Sequence, residues 1–369
     1  MRLVDETNAE AYLRETARID PSERVVVREL AGGVSNMVLL VERPQRPGDE
    51  FVLKQARARL RTSQPWFSSI ERIWREADVL AICSELLARR EKGRPHDATI
   101  PPARTPRILF EDRDNYLLAM SAAPRPNVVW KAELLAGHVD PRIAAACGAL
   151  LGTLHAESWL DEAIRRKIDD QTLFDQLRVD PYYRTLAATR PESSKAVDRV
   201  IRALEAHPRA LVHADFSPKN LLVHAKGLLM VDFETGHYGD PAFDLGFFLS
   251  HLVLKACLKI PEHAKYLELT EVFRRAYDET VSSRIPPGEL RDLWARGIGN
   301  FALCAWARLD GKSPVEYLSD QARRELVRTL CREILDRNVR AWPEVVALAA
   351  RHFDAAASGF LSPRGRGPG

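Results

Sequence analysis

A charge excess of one sign, long apolar runs and patterned cysteines are all missing from this sequence of 369 residues. Lysine and arginine number 54 against 51 aspartates and glutamates, a net +3, so no global field marks a nucleic-acid or membrane partner. No uninterrupted apolar run reaches the roughly 18 residues of a membrane-spanning helix, and the residues after Met1 are polar and charged rather than an apolar leader core. The five cysteines, Cys83, Cys147, Cys257, Cys304 and Cys331, show no CxxC spacing. Free thiols in a reducing cytosol are therefore expected, not disulfides or a zinc site. No internal repeat is visible. The expectation is a soluble, cytoplasmic chain, a monomer or homodimer, with no nucleic-acid and no membrane partner.

Against those absences stand a hydrophobic content of 46%, enough for sizeable cores, and a length that suggests two lobes. One stretch organises the rest, Leu211 to Phe248. It opens on an apolar pair, then His213-Ala214-Asp215 and, five residues past that aspartate, Asn220. A second apolar run, Gly227 to Val231, ends on Asp232-Phe233-Glu234. Strand-like runs around short polar loops bring Asp215, Asn220 and Asp232 to strand ends, where loops converge. One acid to accept a proton, with an Asn and an Asp offering oxygen to a hard cation, is the toolkit of Mg2+-dependent phosphoryl transfer. His213, Asp215 and Asn220 fit the H-x-D-x-x-x-x-N catalytic loop of kinases, and Asp232 stands where kinases carry the aspartate of D-F-G. His213 is read as structural, holding the loop by hydrogen bonds. Taken singly, Asp and Asn after a strand are ordinary turn formers; the combination carries the reading.

The amino-terminal third supplies a nucleotide site. Asn8 to Thr16 reads as a short helix, followed by strands at Val25–Glu29 and Met37–Glu42 around Ala31-Gly32-Gly33-Val34-Ser35-Asn36. A glycine turn between strands lets backbone N–H groups approach phosphates, so Gly32, Gly33 and Ser35 are nucleotide-binding candidates, although a plain hairpin turn has the same pattern. The next strand ends on Lys54, the position from which kinases neutralise α/β-phosphates. A helix from Ser69 to Leu87, apolar on one face, offers Glu71 and Glu76 as partners for that lysine, with Glu76 preferred. Residues 89–106 read as a loop, followed by strands Arg107–Phe110 and Tyr116–Met120. Ser121 and Ala122 then open a connector whose backbone would meet an adenine edge. Beyond Asn127 the pattern is mostly helical, with helices at Trp130–Ala136, Pro141–Glu157, Thr172–Leu177 and Pro191–Ala206. The expected architecture is α+β and two-lobed: an N-lobe at 1–121, a connector at 122–126, a helical C-lobe at 127–357 and a disordered tail at 358–369.

On these residues the chain resembles the aminoglycoside phosphotransferase and choline kinase-like superfamily of small-molecule kinases. Gly239-Asp240-Pro241 followed by Asp244-Leu245-Gly246 is similar to that superfamily's extension of the metal aspartate. There Asp244 resembles a structural acid that accepts backbone hydrogen bonds from the catalytic loop. Nothing between Asp232 and Asp244 resembles a protein-kinase activation segment. Within the superfamily the amino-terminal half is most similar to methylthioribose kinase, through Val52-Leu53-Lys54-Gln55-Ala56, Arg59-Leu60-Arg61, Trp66, Arg75-Glu76 and Trp130-Lys131-Ala132-Glu133. It departs from that family at Asn220 and at Asp232-Phe233-Glu234. The resemblance implies a protein-kinase-like fold, ATP and Mg2+ as cofactors, and a small hydroxyl-bearing, sugar-like acceptor.

Two other readings stand beside this one. A non-catalytic ATP-binding module ordinarily loses the base, the metal acid or the lysine, and here all three are in place. Phosphorylation of an aminoglycoside or amino alcohol calls for an acidic cleft, whereas the acids between Glu262 and Glu279 are interspersed with Lys265, Arg274 and Arg275. For the acceptor cleft the candidates are Trp306, Arg308, Asp310 and Lys312, in a stretch ended by Gly311 and Ser313-Pro314. The competing reading of that corner is a helix end whose ion pair anchors a loop.

Overall fold

The computed structural model describes residues 1–30, 36–58, 68–93 and 100–361. Its amino-terminal part is built from alternation. After α1 (Ala9–Glu15) come β1 (Val26–Glu29), β2 (Asn36–Glu42) and β3 (Phe51–Ala56), then α2 (Arg72–Gly93), the short β4 (Ala103–Arg104), β5 (Ile108–Asp112) and β6 (Leu117–Ser121). Five of these strands form one antiparallel sheet in the order β1-β2-β3-β6-β5. Side chains alternate across a strand, so Phe51 and Leu53 pack with Leu39, Val41, Leu117 and Ala119 in a small core under α1. Val52 and Ala56 turn the other way, into the main core with Ile73, Ala77 and Leu80 of α2. Lys54 shares that second face, which is why a charged residue in a central strand ends up against α2.

The remaining chain is mainly helical. It runs through β7 (Asn127–Val129), α3 (Trp130–Ala136), α4 (Pro141–Glu157), α5 (Glu162–Ile168) and α6 (Thr172–Phe174). A π-helical stretch, Asp175–Arg184, leads into α7 (Thr185–Thr189) and α8 (Ser194–Ala206). Four short strands follow, β8 (Ala210–Val212), β9 (Leu221–His224), β10 (Gly227–Met230) and β11 (His237–Gly239). The chain ends in α9 (Ala242–Leu258), α10 (His263–Val281), α11 (Pro287–Asp310), α12 (Gln321–Asp336) and α13 (Trp342–Leu361). α13 thus continues into the segment expected to be a tail. The fold is α+β, a β-rich amino-terminal part joined to a larger helical part. None of the described helices is long and apolar enough to cross a membrane.

Close helix approach fixes the frame around the catalytic loop. A Cβ at Gly148 of α4 would lie 2.3 Å from the Phe273 carbonyl oxygen of α10, and one at Gly246 of α9 would lie 2.4 Å from the Phe301 nitrogen of α11. Only glycine permits these contacts. Two small sheets then carry the polar loops: β4-β10-β9-β7, and β8 paired with β11. The β9–β10 hairpin is antiparallel with Leu221 opposite Met230, so Asn220 just before it and Asp232 just after it emerge at the same end.

Candidate active site

Asp215 lies in the loop after β8, 4% exposed. Its Oδ1 is paired with Arg178 Nη2 at 2.9 Å. Its Oδ2 accepts from Lys219 Nζ at 2.8 Å and from Asn220 Nδ2 at 2.8 Å. Both oxygens of this acid are thus held in place by donors. Asn220 Nδ2 also donates to the Asp215 carbonyl at 3.0 Å, which leaves its amide oxygen as the atom able to bind a cation. His213 is fully buried, and burial pushes its pKa below the ordinary value. The neutral ring accepts the Asp215 N–H through Nδ1 at 3.2 Å, so this histidine shapes the loop.

Both loops carry strain, and the one after β8 is tied from behind. Ala214 has φ of 59° and Asp232 φ of 72°, a left-handed conformation that costs energy for residues other than glycine. Buried Asp244 accepts the His213 N–H at 2.7 Å and the Ala214 N–H at 2.8 Å. His155 Nε2 lies 3.3 Å from the same carboxylate, and its Nδ1 is 2.9 Å from the Tyr277 hydroxyl. Asp240 is held by Arg296 at 2.6 Å.

Lys54 bridges two acids. Its Nζ is 2.7 Å from Glu76 Oε2 and 2.7 Å from Asp232 Oδ1. Glu71 instead accepts from the Tyr116 hydroxyl at 3.0 Å, so α2 turns Glu76, not Glu71, toward β3. Burial disfavours the charged lysine, yet Asp232, Glu76 and Glu234 outweigh it and raise its pKa above the ordinary value. Burial also works against the Asp232 carboxylate, but Lys54 and Lys219 hold its pKa below the carboxylate range. Glu76 is pushed up to about 7 by burial, with Asp232 and Glu234 adding repulsion. Carboxylate oxygens of Glu76, Asp232 and Glu234 lie within 4.8 Å of one another.

Two arginines complete the site, and the sequence pattern picks out neither. Arg72 lies one helical turn before Glu76 and is fully buried. Its Nε donates to Glu234 Oε2 at 3.1 Å, and its Nη2 to Asn36 Oδ1 at 3.3 Å and the Arg57 carbonyl at 2.8 Å. Asn36 Nδ2 donates to the same Glu234 oxygen at 2.8 Å. Arg178 sits in the π-helical stretch, past the Leu177 boundary at which the helical pattern ends. Its Nε donates to the Ala214 carbonyl at 2.6 Å, besides its pair with Asp215. Arg178 and Asp215 stand far apart in the chain, and no local spacing announces their pairing.

The other candidates divide. Gly32, Gly33 and Ser35 lie outside the described residues, as do Arg59-Leu60-Arg61 and Trp66. Ser121 and Ala122 have their backbone N–H groups engaged within the fold. The Ser121 N–H is bound to the Arg107 carbonyl at 2.8 Å and the Ala122 N–H to the Glu50 carbonyl at 3.0 Å. β6 runs one residue further, to Ser121, than the apolar pattern indicates. Trp306 and Asp310 need correcting. Trp306 is 1% exposed and donates through Nε1 to Asp310 at 3.1 Å. Asp310 also binds Arg190 and Arg328, each at 2.8 Å, and Arg324 at 3.6 Å. Burial alone would raise its pKa, but the bonds from Arg328 and Arg190 bring it down to about 2. This pair anchors α11 to α12. For Lys312 the backbone N–H binds the Pro181 carbonyl at 3.0 Å. Arg308 differs, because two residues along a helix turn a side chain about 200° away from Trp306. It reaches the Tyr182 hydroxyl at 3.2 Å and Ser313 Oγ at 3.0 Å.

Comparison with known proteins agrees with this geometry. Residues 26–260 match the model of the phosphotransferase enzyme family. Methylthioribose kinase of Escherichia coli is 26% identical over 274 residues, covering 65% of this chain and 61% of that protein. The chain thus spans about three-fifths of that relative's length. Among solved structures, choline kinase from Cryptosporidium parvum superposes with a TM-score of 0.55 at 11% identity, covering 92% of this chain and 99% of the other. An amicoumacin kinase, solved with AMP-PNP and Ca2+, superposes with a TM-score of 0.52 at 14% identity, covering 92% and 97%. These two likenesses carry the kinase-like fold alone. With the match of its residues 26–260, the chain belongs to the phosphotransferase enzyme family.

Proposed function

We propose that this protein is an ATP-dependent small-molecule kinase, transferring the γ-phosphoryl group to a hydroxyl of a compact, sugar-like acceptor. The observation that carries the reading is Asp215 fixed through both oxygens beside Asn220, with Lys54 bridging Glu76 and Asp232. Asp215 orients the acceptor hydroxyl and takes its proton as the transition state develops. The hydroxyl oxygen forms the new bond to the γ-phosphorus. The bond to the β,γ-bridging oxygen breaks, and that oxygen leaves with ADP. Lys54 steadies the α/β-phosphates and Glu76 positions Lys54. Positioning and charge supply most of the rate.

The donor set fits a divalent cation such as Mg2+. Asp232 is held ionised, Asn220 keeps its amide oxygen, and hard oxygen donors suit that ion. Bound there, the cation would neutralise charge on the β- and γ-phosphates. A sugar-like acceptor is supported by the methylthioribose kinase relatives, and a reducing cytoplasm by five cysteines that are all buried and free. The test is ADP release from Mg·ATP over a panel of sugars, amino alcohols and aminoglycosides. Asp215→Asn is expected to lose on the order of 10² to 10⁴ in rate while AMP-PNP affinity holds. Activity within a few-fold of wild type would remove Asp215 from this role.

A further inference from the structure

Along α9 three residues one turn apart, Phe247, His251 and Lys255, share a face. The Phe247 ring lies against the Arg178 guanidinium at 5.6 Å, the Tyr182 ring at 5.8 Å and the His251 ring at 4.9 Å. Arg178 in turn holds Asp215. The stripe therefore leads from the clamp on the catalytic acid to Lys255.

Lys255 is 1% exposed. Its ammonium donates to the His251 carbonyl at 3.1 Å and stands 5.3 Å from the Tyr317 ring. Among the described residues no carboxylate pairs with it, and the charges that act on it are the cations Lys131 and Arg308. Burial, then those two cations, lower its pKa to about 7. The Lys131 ammonium of α3 lies 5.8 Å from the same Tyr317 ring. Among the described residues it pairs with Glu316 at 3.9 Å, a side chain 90% exposed. Among the described residues Arg308 of α11 bonds neutral oxygens, those of Tyr182 and Ser313.

Three buried polar atoms in this cluster lack a partner among the described residues: His251 Nε2, Arg308 Nε and the Tyr317 hydroxyl. Each can donate a hydrogen bond, and His251 is kept neutral by burial beside Lys255 and Arg308. Buried cations are ordinarily paired and buried donors ordinarily bonded. Cations and unpaired donors converging on one place match an anion.

We propose that the acceptor is anionic: a small hydroxy compound whose carboxylate or phosphate is held by Lys255, Arg308, Lys131, His251 and Tyr317 while its hydroxyl meets Asp215. This rests on the kinase reading above and narrows its substrate class. A polycationic acceptor is disfavoured by the same charges.

The experiment measures ADP release from Mg·ATP with matched acceptors: glycerol, D-glycerate and glycerol 3-phosphate, and ribose, ribonate and ribose 5-phosphate, with choline as the cation. Anionic members should exceed their neutral partner about tenfold or more in kcat/KM, the carboxylate and phosphate arms telling which anion is preferred. Lys255→Gln should raise KM for the anionic member about tenfold, and Lys131→Gln, at a half-buried position, about threefold. A preference for the neutral or cationic members, or an equal effect of Lys255→Gln on both members of a pair, overturns the inference. Calorimetric titration of malonate and inorganic phosphate into the AMP-PNP complex gives a readout without turnover. Affinity weakened about tenfold in Lys255→Gln supports the site, and equal affinity in both proteins overturns it. AMP-PNP affinity, measured on each variant, reports folding. Failure of the kinase reading would show separately, as AMP-PNP binding that owes nothing to Mg2+ or Asp232.

Discussion

Around Lys54 the buried cations meet carboxylates, whereas buried Lys255, beyond the clamp on Asp215, faces the part-buried cations Lys131 and Arg308, an aromatic ring and a neutral oxygen. Lys54 has Glu76 and Asp232, Arg72 has Glu234, and Arg178 has Asp215. Lys255 and Arg308 have no such partner among the described residues. The difference follows from what each side handles. A nucleotide would arrive with part of its charge already compensated by its divalent cation, so the protein can pair its own charges beforehand and use them to hold geometry. Unpaired buried cations are costly unless a ligand supplies the opposite charge.

Breaking a pair on the first side should have the larger effect. Arg72→Met removes the fully buried cation that joins Glu234, Asn36 and the Arg57 carbonyl. Stranding Glu234 should cost about 3–5 kcal/mol, read by chemical denaturation. A loss under 1 kcal/mol would show that these bonds are not holding the metal loop to α2. A smaller loss is expected at the helix corner. Asp310→Asn leaves Arg190 and Arg328 facing a neutral amide and should cost about 1–3 kcal/mol, with acceptor KM unchanged. A raised KM at unchanged stability would return Asp310 to the acceptor cleft and blur the contrast between the two sides.

The same contrast explains what could be read from the sequence. Asp215 and Asn220 lead into the β9–β10 hairpin and Asp232 follows it, and Lys54 precedes Glu76 by one strand-to-helix step, so short-range spacing brings them together. Alternation in β3 and the helical period of α2 suffice to place Lys54 against Glu76. Arg178 is different: Pro181 interrupts the helical pattern, and the π-helical turn that accommodates it has no sequence signature. Arg72 pairs with a residue 162 positions away. Lys255, in an apolar helix, carries no hint that the groups around it will be Lys131 and Arg308. At the end of α11 composition grouped Trp306, Arg308 and Asp310, but helical rotation separates Arg308 from the other two. At Ser121 one residue of strand pairing beyond the apolar pattern occupies the backbone N–H.

The most direct test of the account is a titration of AMP-PNP with and without Mg2+ into wild type, Asp232→Ala and Lys255→Gln. Asp232→Ala should lose the Mg2+-dependent part of nucleotide affinity, because the acid that would join protein to cation is gone. Lys255→Gln should bind as wild type does, since its charge serves the acceptor. Undiminished Mg2+ dependence in Asp232→Ala would contradict the metal assignment and the phosphoryl-transfer reading built on it.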